Sequence, residues 1–281
     1  MDVTGSTPGD PSLRIALAQL RIESGALEAN VDRALEAVKR AAENGVDLVG
    51  LPELFTVGYF AFDCYERQAE SLEGETVTRL CEAAAEHGIA ILGGSFVEDL
   101  AATDSVPTPA DAGLANTAVL IDETGEIVLV YRKHHLFGYD SAESELLVPG
   151  ERLETATIGG VTVAVTTCYD LRFPELYRQF VDAGVELLLV PSAWPYPRVE
   201  HWETLSRARA IENQCYVATI NGSGHFPEAD ATLLGRSTVY DPWGVAVASS
   251  GDQPTLVTGE IDPDRVTAVR EEFPALLDRR L

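Results

Sequence analysis

The 281-residue sequence predicts a layered α/β fold with mixed sheets, in which helices lie outside and sheets lie inside. Apolar strand patterns alternate with amphipathic helix patterns in the first and middle parts of the chain, which favours parallel strand pairs. Hairpins near residues 120 and 243 add antiparallel pairs. No linker-like stretch separates two cores, so residues 12–281 are expected to form one domain after a flexible tail at residues 1–11.

The elements of the first half follow from apolar periodicity. The apolar segment 12–20 is predicted to be a strand. Segment 30–43 carries apolar residues on one face, which predicts a helix with Asn30 as its cap and Gly45 as its stop. Further strands are predicted at 46–51, 89–96, 116–122 and 127–131, a helix at 75–87 and an exposed loop at 99–113.

The second half continues the alternation. Val161, Val163 and Val165 alternate with small or hydroxylated residues, which predicts a strand that ends near Thr167. Pro174 opens a helix that runs to about residue 181. Further strands are predicted at 185–190, 216–221, 237–241, 245–248 and 256–261, and further helices at 201–214 and 264–273.

The composition is strongly acidic. Aspartate and glutamate number 45 against 20 lysines and arginines, which gives a net charge of −25 and excludes nucleic acid as an expected partner. Only Lys39 and Lys133 are lysines. An acid-rich, lysine-poor chain is typical of a halophilic surface, where counterions in a high-salt cytoplasm screen the repulsion.

No segment of the sequence indicates a membrane or an export signal. Apolar runs stay well below the ~20 residues that a membrane span requires, and the N-terminal stretch MDVTGSTPGD lacks the basic and apolar regions of a signal peptide. We therefore expect a soluble, cytoplasmic protein with no membrane partner.

The four cysteines show no CxxC spacing and no metal pattern with histidine, so neither a metal site nor a redox dithiol is expected. Cys168 differs from the others because it follows the strand at 161–167 and precedes the helix that starts at Pro174. Backbone N–H groups and the helix dipole favour a thiolate at such a place. The alternative is that Cys168 is a small buried hydrophobic residue.

Three apolar strands each end in a reactive side chain, namely Glu53, Lys133 and Cys168. Because sites in α/β sheets gather at the carboxyl ends of strands, these side chains are expected to converge. The alternatives are a helix-entry carboxylate for Glu53 and a solvated side chain for Lys133. The scarcity of lysine in this chain favours a role for Lys133 that arginine cannot fill.

Three segments resemble the signature blocks of the nitrilase superfamily of carbon–nitrogen hydrolases: LPELFTVGY (51–59), YRKHHLF (131–137) and CYDLRFPELYR (168–178). Segments 201–219 and 235–244 are also similar to that family and are closest to its Nit and omega-amidase branch. The resemblance covers residues 12–275. It implies a four-layer αββα sandwich, assembled into homodimers or higher homo-oligomers, with no cofactor.

The resemblance also implies roles for individual residues. Glu53 would be the general base, Lys133 the cationic partner and Cys168 the nucleophile. The family carries a second glutamate after the lysine block, and Glu143 stands in the matching place. The loop after Lys133 looks shorter than in the omega-amidases, so Glu145 remains the alternative.

The residue types fit the hydrolysis of an amide, which requires an activated thiol and donors for a developing oxyanion. Lys133 and the backbone N–H of Tyr169 would supply those donors. Arg172 is expected either to bind a substrate carboxylate or to form an ion pair with Asp170 or Glu175. Trp194 is expected either to line the substrate pocket or to pack in the core.

The sequence therefore predicts thiol-dependent hydrolysis of a small linear amide to a carboxylate and ammonia. A nitrile or an N-carbamoyl amine is the alternative substrate for the same residues. A papain-like mechanism would instead need His135 or His201 as the base. A catalytically silent binding or scaffold protein is the alternative of another class.

Overall fold

The computed structural model describes residues 12–139 and 141–280, so the predicted tail at residues 1–11 lies outside the described residues. The strands are β1 (Leu13–Gln19), β2 (Leu48–Gly50), β3 (Ala90–Leu92), β4 (Phe96–Asp99), β5 (Leu114–Ile121), β6 (Ile127–Arg132), β7 (Thr155–Ile158), β8 (Val161–Val165), β9 (Leu187–Ser192), β10 (Tyr216–Asn221), β11 (Ser223–Phe226), β12 (Ala231–Leu234), β13 (Thr238–Tyr240), β14 (Ala246–Ser249) and β15 (Thr255–Ile261). The helices are α1 (Leu27–Glu43), α2 (Tyr65–Gln68), α3 (Glu75–His87), α4 (Glu143–Leu146), α5 (Pro174–Asp182), α6 (Val199–Asn213) and α7 (Pro263–Glu272).

Two mixed sheets form the centre of the fold. The first has the order β15-β1-β2-β3-β5-β4, with β6 paired to β5, and the second has the order β14-β13-β10-β9-β8-β7. Strands β1, β2 and β3 are parallel, as are β8, β9 and β10, while the flanking pairs are antiparallel. The predicted mixed sheets are therefore confirmed.

Strand β1 shows how the layers arise from alternating side chains. Ile15 and Leu17 pack with Val163 and other residues of the second sheet. Ala16 and Ala18, on the opposite face, pack with residues of helices α1 and α3. Helices α5 and α6 cover the outer face of the second sheet in a third apolar cluster. The result is the predicted four-layer αββα sandwich, with a core between the sheets and one under each helical layer.

The topology brings several strand ends to one edge. Strands β2 and β3 are parallel, and two successive antiparallel pairings, β3 with β5 and β5 with β6, make β6 run the same way. The carboxyl ends of β2 and β6 therefore share an edge of the first sheet. Strands β8 and β9 end at a common edge of the second sheet. The four loops that follow these strands build the site described below.

The predicted strand at 89–96 is wrong in one respect, because the structure divides it into β3 and β4. Gly94 has a φ of +53°, and a Cβ built on it would lie 2.1 Å from the carbonyl oxygen of Pro52. The break therefore lets the backbone pass directly over the turn that precedes Glu53. No pattern in the segment predicted this contact.

Asn30 is not the cap of the first helix, which begins at Leu27. Asn30 is buried inside α1, where its side chain binds the backbone of Glu23 and the carbonyl oxygen of Thr56. The predicted exposed loop at 99–113 contains one helical turn, with Leu100 buried. Short strands that the periodicity did not predict are β7, β11 and β12.

Candidate active site

Glu53 lies beyond the end of β2 and is completely buried. Its Oε1 accepts hydrogen bonds from Lys133 Nζ at 2.8 Å and from Asn116 Nδ2 at 2.9 Å. Its Oε2 accepts one from the backbone N–H of Ala193 at 2.8 Å, directly after β9. A buried carboxylate with three donors is held in one orientation.

Lys133 directly follows β6 and joins two carboxylates. Besides Glu53, its Nζ contacts Glu143 at 2.8 Å to Oε1 and 3.0 Å to Oε2. Glu143 is fully buried, and its Oε2 also accepts from Tyr59 OH at 3.1 Å. Glu145 is exposed on the same short helix. The structure therefore places Glu143, and not Glu145, at the lysine.

Cys168 and Leu54 have unusual backbone conformations. Their φ angles are +46° and +44°, in the left-handed region that side chains with a Cβ seldom adopt. Leu54 directly follows Glu53, and its N–H donates to Ser95 Oγ at 2.9 Å. Each such residue costs about 1–3 kcal/mol, and the surrounding structure must hold it in place. The strain thus lies at the two segments that bring a carboxylate to a thiol.

The buried surroundings change the pKa values of Cys168 and Glu53. Burial raises the pKa of the Cys168 thiol well above its usual value, and the charge of Glu53 raises it further, against the opposing effect of Lys133. Burial and the charge of Glu53 therefore favour a thiol over a thiolate at Cys168. Burial also raises the pKa of Glu53, while Lys133 and a hydrogen bond from Cys168 lower it.

Burial opposes the charge of Lys133, but Glu143 and Glu53 outweigh it and raise the pKa of the ammonium well above its usual value. The lysine therefore stays charged across the whole neutral range. Among these residues the resting group is a thiol beside a carboxylate, with a permanent cation next to them. A thiol beside a carboxylate can pass its proton to that carboxylate.

A cavity of about 250 Å³ opens onto this group, and Lys133 and Cys168 both line it. Its walls combine aromatic side chains with two arginines, Asp230 and several small residues. The wall residues include Tyr59, Phe137, Tyr169, Trp194, Arg172 and Arg198. The predicted site residues Tyr169, Arg172 and Trp194 therefore share one cavity with Cys168.

Arg172 stacks on aromatic rings and has no carboxylate partner in residues 12–139 and 141–280. Its guanidinium carbon lies 4.8 Å from the ring centre of Trp194 and 5.7 Å from that of Tyr169. Burial lowers the pKa of Arg172, and the nearby Arg198 lowers it too. The predicted ion pair with Asp170 or Glu175 is not formed.

Asp170 forms hydrogen bonds with other residues instead of Arg172. Its buried carboxylate accepts hydrogen bonds from Tyr131 OH at 2.7 Å and from the backbone N–H of Thr167 at 2.8 Å. It also contacts Nδ1 of His135 at 2.7 Å, and that ring stacks on Phe173. Asp170 thus joins the end of β6 to the loop that carries the cysteine.

The histidines are not placed for a papain-like mechanism. His135 is bound to Asp170, and His201 Nδ1 lies 3.3 Å from Arg172 Nη2. Neither histidine lines the cavity with Cys168. Across the described part of the chain, no group of three or more histidine, cysteine, aspartate or glutamate residues is arranged to hold a metal ion. No helix there is long and apolar enough to cross a membrane.

Sequence reasoning missed four contributors to the site: Asn116, Tyr59, Ala193 and Arg198. Ala193 follows β9, so the rule that sites gather at strand ends could have found it. Tyr59 lies within a segment that resembled a family block, but no chemical pattern marked it. Asn116 lies inside a strand, where nothing in the apolar pattern distinguishes a site residue from a buried polar one.

The fold and this buried group of glutamate, lysine and cysteine side chains define a class of enzyme. Residues 14–271 match the carbon-nitrogen hydrolase family. The chain belongs to that family and is a carbon–nitrogen hydrolase.

The relatives of this chain include amidases. The 2-oxoglutaramate amidase of Paenarthrobacter nicotinovorans is 35% identical over 286 residues, which cover 100% of this chain and 94% of that protein. The omega-amidase NIT2 of Homo sapiens is 35% identical over 277 residues, covering 96% of this chain and 95% of that protein. These relatives place the chain close to the Nit and omega-amidase branch and support amide hydrolysis.

A solved structure is also similar over almost the whole chain. It is a mutant of the amidase from Nesterenkonia sp. AN1 that shows covalent addition of the acetamide moiety of fluoroacetamide at the active site cysteine. Its TM-score is 0.78 at 28% sequence identity, and the match covers 97% of this chain and 99% of that chain.

Proposed function

We propose that the protein hydrolyses a small linear ω-amide, one that carries a free carboxylate, to a dicarboxylate and ammonia. The observation that carries this proposal is the placement of Cys168 in a cavity beside a buried carboxylate and a buried ammonium. The acetamide adduct on the cysteine of the Nesterenkonia amidase supports the same role for Cys168.

Acylation begins when the sulfur of Cys168 attacks the amide carbonyl and its proton passes to Glu53. The carbonyl oxygen becomes an oxyanion, for which Lys133 and the backbone N–H of Tyr169 supply donors. Collapse of the adduct breaks the C–N bond, and Glu53 gives the proton to the departing nitrogen. Ammonia leaves, and an acyl thioester remains on the sulfur.

Deacylation repeats the sequence with water as the nucleophile. Glu53 takes one proton from the water as its oxygen attacks the thioester carbonyl, and the thiol regains that proton when the C–S bond breaks. Glu143 also binds Lys133 and keeps the ammonium in place through both steps. These steps use only side chains, a backbone donor and water.

The substrate class follows from the two arginines of the cavity. Arg172 and Arg198 both line it, and neither has a carboxylate partner within the described residues. Two neighbouring cations in a partly apolar cavity are stabilised by an anion between them. A carboxylate at one end of the substrate and an amide at the other would satisfy both the arginines and the cysteine.

A substrate panel tests this function directly. Purified protein is incubated with ω-amido acids, amides without a carboxylate, N-carbamoyl amines and nitriles, and ammonia, carbon dioxide and the organic product are measured. We expect turnover of ω-amido acids with ammonia as the nitrogen product. Turnover of only the carbamoyl amines, with carbon dioxide, or of only the nitriles would reassign the substrate class. No turnover of any compound would favour a silent binding or scaffold protein.

Arg172→Lys is expected to raise the KM for ω-amido acids about tenfold or more and to spare amides that have no carboxylate. Lysine keeps the charge but loses the planar fork that binds a carboxylate with two hydrogen bonds. Steady-state kinetics on both substrate types give the answer. Arg178→Lys makes the same change in α5, outside the cavity, and is the matched control. Equal losses on both substrate types would instead assign Arg172 a structural role.

Four expectations from the sequence stay predictions. They are the single domain over residues 12–281, the homodimer or higher homo-oligomer, the cytoplasmic location and the adaptation of the acidic surface to high salt.

A further inference from the structure

Asn116 lies on β5, between β4 and β6 of the first sheet. Its backbone carbonyl oxygen accepts a hydrogen bond from the N–H of Lys133 at 2.9 Å. Its side chain is 1% exposed. Asn116 therefore binds the backbone of Lys133 and also places a buried amide beside the side chains that Lys133 contacts.

The amide of Asn116 donates to both buried carboxylates. Its Nδ2 lies 2.9 Å from Oε1 of Glu53 and 3.2 Å from Oε1 of Glu143. Lys133 Nζ lies 2.8 Å from each of the same two oxygens. Two carboxylates share one ammonium, which leaves an uncompensated negative charge in a buried place. Among the described residues Lys133 is the only side-chain cation paired with these two carboxyl groups, and the two hydrogens of the Asn116 amide nitrogen supply the further donors.

The orientation of the amide has a structural cost. Asn116 Oδ1 is buried and has no hydrogen-bond partner among the described residues. If the amide were rotated by half a turn, Oδ1 would face two carboxylate oxygens and repel them. The amide therefore leaves its own oxygen unpaired so that its nitrogen can donate twice.

We propose that Asn116 is a positioning residue that holds the carboxyl groups of Glu53 and Glu143 side by side around a single ammonium and keeps Glu53 in its charged form. Glu53 then stands ready to accept the proton of the Cys168 thiol. This inference rests on the proposed function of Glu53 as the base. The neutral side chain of Asn116, on strand β5, then sets the pH range in which Glu53 is deprotonated and can act as the base.

The expected signature is a shift in pH dependence. Burial raises the pKa of Glu53, and donors to its oxygens lower it. Loss of the Asn116 donor therefore raises that pKa further, and activity begins to fall at a higher pH as the solution is acidified. The titratable and charged groups that face Glu53 are Lys133, Glu143, Cys168, Tyr59 and Tyr65, and the test changes none of them.

Two variants test the proposal. Asn116→Leu removes both donors at similar size. Asn116→Asp keeps the shape but replaces the amide donor by a third carboxyl group, whose negative charge when ionised raises the pKa of Glu53. The acid limb of kcat/KM against pH is expected to move up by about one unit, which lowers the rate about tenfold at a fixed pH on that limb. The apparent pKa of this limb belongs to the interacting set of Glu53, Glu143, Lys133 and Cys168 as a whole.

Thr117→Val is the matched control, because it also removes a buried hydrogen bond from β5, to Glu98 on the other side of the sheet. It should leave the limb in place. The pH dependence of Cys168 alkylation by iodoacetamide gives a second readout that needs no substrate turnover. A shift of the alkylation limb in the Asn116 variants supports the proposal even if the substrate class is wrong. Folded variants that lose rate equally at every pH would overturn it, as would a limb that moves to lower pH.

Discussion

Cys168→Ala is expected to lower the turnover of an ω-amide by about 10⁵-fold or more, while the protein stays folded. Loss of a nucleophile removes the whole covalent route, since the base and the oxyanion donors have nothing left to activate or stabilise. The substitution removes one buried atom beside the cavity, so the thermal midpoint should stay close to that of the wild type. Steady-state kinetics and a thermal melt on the same preparation measure both effects.

The other cysteines serve as controls for this loss. Cys215 is the closest match because it is also buried, and burial raises its pKa to about 12. It contacts neither Glu53 nor Lys133, so Cys215→Ala should keep its turnover, as should Cys64→Ala and Cys81→Ala. Substantial activity in Cys168→Ala would remove the thiol mechanism altogether.

Glu53→Gln is expected to lower kcat/KM about 10³-fold or more by blocking acylation. Glutamine preserves the size of the side chain, but it cannot accept the thiol proton. The raised pKa of the wild-type thiol makes this loss severe, because the sulfur carries its proton until a base removes it. Mass spectrometry of the variant after incubation with substrate should show no acyl adduct.

Glu145→Gln is the matched control, since it makes the same change at an exposed glutamate of α4. It should retain the kinetics of the wild type. An acyl adduct that forms on Glu53→Gln at the wild-type rate would show that another group takes the proton. A melt of the variant separates lost chemistry from lost fold, because Lys133 keeps Glu143 as a partner when Glu53 becomes neutral.

The prediction that Glu53, Lys133 and Cys168 converge used only the ends of strands, and the structure takes Glu53 and Lys133 from the first sheet and Cys168 from the second. Each residue follows an apolar strand, and strands that run the same way end at one edge. The four layers were predictable for a similar reason. Residues such as Ile15 and Ala16 alternate along a strand that is apolar on both faces, so both faces require cover.

Other features depend on register and burial, which the sequence does not express. Asn116 reaches the site because the register of β5 is fixed by its neighbours: Asn116 pairs with Val97 of β4, and Thr117 pairs with Arg132 of β6. This register decides which face of β5 points inward. The break at Gly94 depends on how closely the Pro52 turn approaches. The expectation of a thiolate at Cys168 took no account of burial and of the neighbouring Glu53, which both raise the pKa of the thiol.

The choice between Glu143 and Glu145 shows the same limit. The two differ by two positions in a helix of four residues, and the family spacing left both open. Only the fold decides, because it buries Glu143 against Lys133 and leaves Glu145 in solvent. Arg198 was missed since it lies beyond the strand end, in a connection whose path to the cavity has no sequence pattern.

Labelling with iodoacetamide near neutral pH, followed by peptide mass spectrometry, tests the central claim that Cys168 is the nucleophile. We expect one label, on Cys168, that appears at the rate at which amidase activity disappears, and that forms much more slowly in Glu53→Gln. Loss of activity with the label on Cys64, Cys81 or Cys215, while Cys168 remains unmodified, would contradict the account.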